Sequence, residues 1–196
     1  TCGGEDKKAY GDGGIHALIF RRRSRGRSND TSLFALTQAY ITLDVRLNAR
    51  FTGHAATCVK EATGIFNSAV EDVKAFLDAS SDISHRVERD RYGYIWFILS
   101  MDTIEGVVAA VDAIADTFTE YGFKEQILAS VFAFNADKRG RFYLVYNHRS
   151  NRFYPFASRD RERDVELEML IYSILKDELV LEKDRARWYP IWDIPF

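Results

Sequence analysis

The sequence predicts an α+β protein in which helices back an antiparallel sheet of about five to six strands. Segments with apolar residues at helical spacing alternate with short segments that are typical of strands. One of these strands is especially clear, because residues 92–99 are apolar on both faces of an extended chain. Such a strand belongs in the interior of a sheet that is covered on both sides.

The first four elements follow from the spacing of apolar residues. They are a helix over 33–42, a strand over 51–59, a helix that ends near Ala79 and a strand over 83–89. Ser68 and Glu71 have the spacing of a capping box, in which two side chains bind the free N–H groups at a helix start. Phe66, Val70, Val73 and Leu77 supply the apolar positions of the second helix, which we expect over 65–79.

A strand that leads directly into a helix forms the centre of the chain. The strand covers residues 92–99, with Trp96 in its middle. Asp102 and Glu105 have capping-box spacing and predict the start of the helix, and Gly122 stands where a left-handed C-terminal cap is expected. This unit indicates how the protein folds and carries no recognisable chemistry.

Three strands and a helix are predicted for the last third of the chain. The strands cover 127–134, 142–146 and 152–156, and the helix begins near Asp164. The C-terminal residues 188–192 read Trp-Tyr-Pro-Ile-Trp. We expect this segment to pack onto the domain, because large aromatic side chains gain free energy when they leave water.

The predicted order contains a β-α-β-β-α-β run, which is the order of a ferredoxin-like core, with an added hairpin and helix. If the helix over 65–79 is instead an insertion, the order also matches the helix-and-five-strand plan of secretion chaperones. Both alternatives are α+β folds with helices against an antiparallel sheet.

The charge distribution divides the chain into a flexible basic N-terminal tail, residues 1–32, and a single α+β domain, residues 33–196. Residues 1–30 hold seven basic and four acidic side chains, whereas the remainder holds 20 basic and 25 acidic ones. This asymmetry favours a contact between the tail and an anionic surface or partner. It argues against nucleic acid, because no basic and aromatic pattern extends beyond the tail.

The tail contains a candidate contact for a membrane or a protein partner. Its apolar residues could insert and its arginines could attract anionic head groups. The residues concerned are Leu18, Ile19, Phe20, Arg21, Arg22, Arg23, Arg25 and Arg27. A solvated basic linker is an equally weighted alternative. No apolar run approaches the ~20 residues that cross a bilayer, so we expect a cytoplasmic protein with peripheral membrane contact.

No pattern in the sequence points to catalysis, a metal or a cofactor. The four histidines show no metal-ligand spacing, and no glycine-rich phosphate loop or nucleophile motif is present. We expect a protein that is not an enzyme and that needs no cofactor. An aromatic cleft is the one candidate ligand or peptide site, formed by Tyr143, Tyr146, Phe153, Tyr154 and Trp188.

Several segments, taken in order, resemble the PspA-associated protein family PspAB. They are the stretches 33–43, 90–96, 121–123, 142–147, 151–156 and 182–192, and it is the ordered set, more than any one stretch, that is specific. The family is encoded beside the membrane-stress protein PspA and often beside an HtpX-type membrane protease.

This resemblance implies an accessory or adaptor protein of a PspA-type membrane-stress response. Its partners would be a PspA-like protein or an HtpX-type membrane protease, reached by protein–protein interaction at or near the membrane. The resemblance supplies no catalytic residues. A regulatory domain that binds a ligand or peptide in the aromatic cleft is the alternative function.

Overall fold

The computed structural model describes residues 31–196. This part of the chain forms four α-helices and seven strands. The helices are α1 (Thr31–Leu47), α2 (Phe66–Asp78), α3 (Ile104–Glu120) and α4 (Val165–Leu175). The strands are β1 (Ala49–Lys60), β2 (Ser84–Arg89), β3 (Tyr94–Ser100), β4 (Ile127–Ala136), β5 (Gly140–Asn147), β6 (Arg152–Arg159) and β7 (Glu162–Arg163).

The strands form one antiparallel sheet in the order β2-β3-β1-β4-β5-β6-β7. The strands β1 to β4 with α2 and α3 confirm the predicted ferredoxin-like core, because β1 and β2 run in the same direction with β3 between them. The added hairpin is β5–β6 and the added helix is α4. Because α2 buries Phe66, Val73 and Leu77 in the helical layer, it is integral to the fold. This favours the ferredoxin-like description over the secretion-chaperone alternative.

The sheet has more strands than the five to six predicted, and β7 accounts for the difference. This strand has two residues and pairs with the end of β6. The turn between them places Asp160 and Arg161 at φ 52° and 64°. Two consecutive positive φ values are typical of a type I′ hairpin turn, which normally carries Asn-Gly. The sequence gives no such signal here.

Both predicted capping boxes are wrong. Helix α2 begins two residues before Ser68, with Ile65 at the N-cap position and no side-chain cap. The predicted span of 65–79 is nevertheless close to the observed one, since Phe66 begins the helix and packs against the ring of Phe118 at a centroid distance of 5.3 Å. In α3 the cap is Thr103, whose Oγ1 accepts a hydrogen bond from the Gly106 N–H at 3.3 Å.

The predicted end of α3 and the predicted start of α4 are confirmed. Helix α1 instead extends beyond the predicted 33–42 and ends at Leu47, because Leu43 and Leu47 continue its buried stripe. Gly122 follows α3 at φ 81°, and the Phe123 N–H donates to the Phe118 carbonyl at 2.7 Å. This bond and the one from the Gly122 N–H to Thr119 complete a Schellman motif. At the start of α4, the Asp164 carboxylate accepts from the Leu167 N–H at 3.0 Å.

The two faces of the sheet are covered differently. All four helices contribute buried apolar residues to the core on one face, among them Leu36, Val73, Val111 and Ile171. The opposite face, which we call the open face, carries a smaller apolar cluster of residues from β1, β3, β4, β5 and β6. Trp188 and partly buried residues of the C-terminal segment pack on that cluster. A binding site is therefore most readily built on the open face.

Candidate binding groove on the open face of the sheet

The strand register creates a trough across one end of the open face. Cys58 on β1 lies opposite Trp96 on β3 and Ala129 on β4, and Ala129 lies opposite Asn147 on β5. Cys58 and Ala129, the two central residues of this row, have small side chains, whereas Trp96 and Asn147 on either side are larger. The result is a groove of about 560 Å³ whose floor includes Trp96, Cys58, Ala129 and Tyr154.

The C-terminal segment forms the other wall of the groove. Residues Tyr189, Pro190, Ile191, Trp192 and Asp193 line it opposite the sheet, and we call them the strap. The hydroxyl of Tyr154 donates a hydrogen bond to the Tyr189 carbonyl at 3.1 Å. The Trp192 ring meets Phe156 edge to face at a centroid distance of 5.4 Å. The strap therefore contacts the sheet through one hydrogen bond to Tyr154 and one ring contact with Phe156.

Trp188 fixes the chain just before the strap. Its side chain is 2% exposed, and its indole N–H donates to the Glu182 carbonyl at 2.9 Å. Its own carbonyl accepts a hydrogen bond from Arg163 at 2.8 Å. Arg163 in turn pairs with the fully buried carboxylate of Glu168 at 2.8 Å. The strap thus begins at a rigid point of the fold.

Asp90 organises the end of the groove near β3. Its carboxylate accepts hydrogen bonds from the N–H groups of Tyr92 at 2.8 Å and Tyr94 at 3.0 Å, and from the indole N–H of Trp96 at 3.0 Å. Burial opposes ionisation most strongly, but these bonds and one from the Gly93 N–H together outweigh it and lower the pKa of Asp90. The groove therefore contains a fixed negative charge at this end.

The thiol of Cys58 is chemically quiet. Burial, followed by the nearby charge of Asp90, raises its pKa to about 12. A thiol with this pKa is almost entirely protonated at neutral pH, and the thiolate is the nucleophilic form. Cys58 therefore contributes shape to the groove floor and no covalent chemistry.

The opposite end of the groove is basic. The Asn147 Oδ1 accepts from the backbone N–H groups of Arg149 at 2.9 Å and Ser150 at 3.3 Å, which fixes this turn. The Arg149 guanidinium donates to the Glu125 carbonyl at 3.1 Å. No ion pair joins Arg149 to a carboxylate of residues 31–196. Its positive charge is thus available at the groove.

The outer rim combines exposed aromatic and charged side chains. Tyr92, Tyr189 and Trp192 are 66%, 58% and 50% exposed. Arg91 pairs with Asp193 of the strap at 2.7 Å and stacks over the Tyr92 ring at 4.9 Å. We call Arg91, Tyr92, Tyr189, Trp192 and Asp193 the aromatic rim.

The structure does not bring the five residues of the predicted aromatic cleft together. Tyr146 and Phe153 are buried in the helical core, with ring centroids 4.7 Å apart. Tyr143, Tyr154 and Trp188 lie on the open face, where only Tyr154 lines the groove. Residues that alternate along a strand point to opposite faces, so Tyr143 and Tyr146 could be separated from the sequence alone.

The sequence reasoning missed most of the groove. It assigned Trp96 to the core and did not single out Asp90, Arg149 or Trp192. The pairing of distant strands determines which side chains share a row, and the sequence contains no direct signal for it. The predicted tail contact, from Leu18 to Arg27, lies outside the described residues.

Two other kinds of site receive no support within residues 31–196. No group of three or more His, Cys, Asp or Glu side chains there could hold a metal ion, and no helix there is long and apolar enough to cross a membrane. Ser130 Oγ lies 2.8 Å from His148 Nε2, which is a distance typical of a nucleophile and its base. Ser130 is completely buried, however, and bonds Thr57 at 2.9 Å inside the fold. This cluster cannot be reached by a substrate.

The fold and groove define a class of protein: an extended ferredoxin-like α+β domain with an open sheet face that its own C-terminal strap crosses. The family model of PspA associated protein B matches residues 13–196. The chain belongs to this PspAB family, and its role is that of an accessory protein linked to PspA. No curated protein and no solved structure matches the chain.

Proposed function

We propose that the protein is a non-enzymatic adaptor of a PspA-type membrane-stress response. It works in the cytoplasm, at or near the membrane, and it acts by binding another protein. The family membership supports a link to PspA. A PspA-like protein is the first partner to consider, and an HtpX-type membrane protease is the second.

The aromatic rim is the observation that carries this proposal. Exposed Tyr and Trp side chains beside an Arg are the residue types that dominate the binding energy of protein interfaces. Tyr92, Tyr189 and Trp192 surround one groove, and the Arg91–Asp193 pair lies among them. A partner that covers the rim would bury these large side chains and gain hydrophobic free energy.

A binding experiment with purified partners tests the adaptor role. The intact protein and a triple variant, Tyr92→Ser, Tyr189→Ser and Trp192→Ser, are titrated against immobilised PspA and against the HtpX-type protease. We expect the triple variant to lose about thirtyfold or more in affinity, because the loss of one hot-spot residue alone costs about 2 kcal/mol.

The matched control removes exposed apolar residues elsewhere. Ile41 and Val45 are 59% and 79% exposed on α1, on the helical side of the sheet. The variant Ile41→Ser with Val45→Ser should bind as the intact protein does. The proposal fails if the intact protein binds neither partner, or if both variants weaken binding equally.

A regulatory domain that binds a small ligand is the second candidate function. The groove favours it, since about 560 Å³ is within the usual 300–1,000 Å³ of ligand sites. The two functions are compatible, because a ligand in the groove would lie beneath the surface that we assign to the partner.

A further inference from the structure

We propose that the groove binds an amphipathic acid, with an apolar body in the trough and an anionic group at Arg149. This inference rests on the second candidate function and deepens it, because it names the class of ligand and the residue that binds the ligand's charged group. It rests on three features of the described residues: an unfilled apolar trough, an available guanidinium at one end and a fixed carboxylate at the other.

The trough provides space that the protein does not fill. Concave and mostly apolar clefts of this size are the usual form of small-ligand sites. Cys58 and Ala129 produce the gap because their small side chains lie side by side between Trp96 and Asn147. Leu128 and Tyr154 add apolar surface. An apolar body gains free energy by replacing water here.

The Arg149 end provides the hydrogen-bond donors. The guanidinium has five N–H donors, and the structure shows one of its nitrogens donating to the Glu125 carbonyl. Because the Asn147 Oδ1 already accepts two backbone hydrogen bonds, the groups that this side chain can still offer are the donors of its amide nitrogen. Donors held on a rigid turn are suited to a carboxylate or another anionic group.

The Asp90 end determines the direction in which the ligand lies. The carboxylate of Asp90 already accepts three hydrogen bonds at 2.8 to 3.0 Å and has little capacity for further donors. Its negative charge repels an anion. The Arg91 guanidinium at this end is already paired with Asp193 at 2.7 Å. We therefore place the acid group at Arg149 and the apolar body toward Trp96.

Calorimetric titration of the intact protein with dodecanoate, below its micelle concentration, tests the assignment. 1-Dodecanol is the matched probe, with an equally long chain and no charge. We expect dodecanoate to bind at least about tenfold more tightly than the alcohol, because only the carboxylate pairs with Arg149. We expect Arg149→Gln to weaken dodecanoate binding by about tenfold, because it removes a charge-assisted hydrogen bond.

Two further variants distinguish binding in the groove from nonspecific binding to the rest of the protein surface. Ala129→Leu fills the trough and should abolish dodecanoate binding without lowering the denaturation midpoint. Arg139→Gln removes an arginine from the β4–β5 turn, at the opposite end of these strands, and should bind normally. Anionic vesicles added as competitors identify the source of the acid: displacement of dodecanoate indicates a membrane lipid, and no displacement indicates a free acid.

The proposal is overturned if the alcohol binds as tightly as dodecanoate, or if Arg149→Gln and Arg139→Gln have the same affinity. Retained binding in a folded Ala129→Leu protein would also overturn it. If Ala129→Leu does not fold, the comparison of Arg149→Gln with Arg139→Gln still tests whether the acid binds at Arg149. No partner protein enters this experiment, so its outcome is independent of the adaptor proposal.

Discussion

At the scale of single residues, Asp90 links local chain geometry to the sheet. Its carboxylate holds the turn before β3 through the N–H groups of Tyr92 and Tyr94, and it holds the Trp96 side chain through the indole N–H. Gly93 permits the turn because its φ is 80°, a region that side chains disfavour. One carboxylate thereby orders the β2–β3 connection and one end of the groove.

A pH-dependent loss of stability should follow from the lowered pKa of Asp90. The charged form is favoured in the folded state, so its contribution is complete above the ordinary pKa of 3.8 and is lost as the pH falls through the lower folded-state value. We expect Asp90→Asn to lower the free energy of unfolding at pH 7 by about 1–3 kcal/mol, as for other broken hydrogen bonds to charged groups.

Urea denaturation at pH 7 and near pH 3 measures this effect. The difference between the intact protein and Asp90→Asn should shrink at the lower pH, because below the ordinary pKa of 3.8 the Asp90 carboxylate of the unfolded chain takes up a proton and the advantage of the folded state declines. Asp102→Asn is the control, because no hydrogen bond to the exposed Asp102 side chain is seen within residues 31–196. A difference that is constant with pH would contradict the assigned role.

The burial of Trp96 was predictable from the sequence, whereas the Asp90 carboxylate that accepts its indole hydrogen bond was not. The run over 92–99 has apolar residues at alternate positions on both faces, and the structure buries Trp96 on the open face and Phe97 on the helical face. The acceptor for its indole N–H depends on the folded turn at Asp90 to Gly93. The sequence contains no periodic signal for that geometry.

At the scale of elements, the order of helices and strands was predictable and several of their ends were not. Hydrophobic periodicity identifies α1 to α4 and β1 to β6, because burial of one or both faces dominates these segments. The starts of α2 and α3 depend on the packing of Phe66 and the local geometry at Thr103, which override the capping boxes. The two-residue β7 is too short to have a pattern.

The C-terminal segment consists of two parts with different roles. Trp188 is buried against Tyr172, with ring centroids 5.5 Å apart, whereas the strap that follows is half exposed. The expectation that this segment packs onto the domain is therefore confirmed for Trp188, whereas Tyr189 and Trp192 are only partly buried. The exposure of Tyr189 and Trp192 leaves the strap available for a partner.

Deletion of residues 187–196 should yield insoluble or protease-sensitive protein. The truncation removes Trp188 and uncovers the apolar open face, and loss of one buried Trp side chain alone costs about 3–5 kcal/mol. Limited proteolysis and thermal melting measure the outcome. Trp192→Ala is the control and should melt close to the intact protein. A soluble truncated chain with a cooperative transition would show that the segment is dispensable for folding.

At the scale of the whole molecule, the ferredoxin-like core explains why the two faces differ. Both crossover helices of this topology lie on one side of the sheet, and here α1 and α4 join the same layer. The open face is left to the C-terminal segment. Fold class alone thus predicts that one face is free for binding, but the location of the groove depends on the register of four strands.

The charge asymmetry of the chain should produce salt-dependent membrane binding. Each basic residue near an anionic surface contributes about 1 kcal/mol, so Arg21, Arg22, Arg23, Arg25 and Arg27 together could supply several. We expect the intact protein to sediment with anionic liposomes but not with neutral ones, and less so as salt shortens the Debye length from about 10 Å toward 3 Å.

Replacing the five arginines with Gln should abolish this sedimentation, and replacing them with Lys should preserve it. Binding that ignores lipid charge, or that survives the Gln replacement, would leave the tail as a linker. The protein would then reach the membrane only through its partner.

Cys58 also makes occupancy of the groove measurable without an attached dye. The thiol lies on the groove floor and is protonated at neutral pH, so an alkylating reagent, which reacts with the thiolate, should label it slowly in the folded protein. With Cys2 replaced by Ser, Cys58 is the only thiol in the sequence. A molecule that occupies the groove should lengthen the labelling half-time further, whereas local opening of the fold around Cys58 should shorten it.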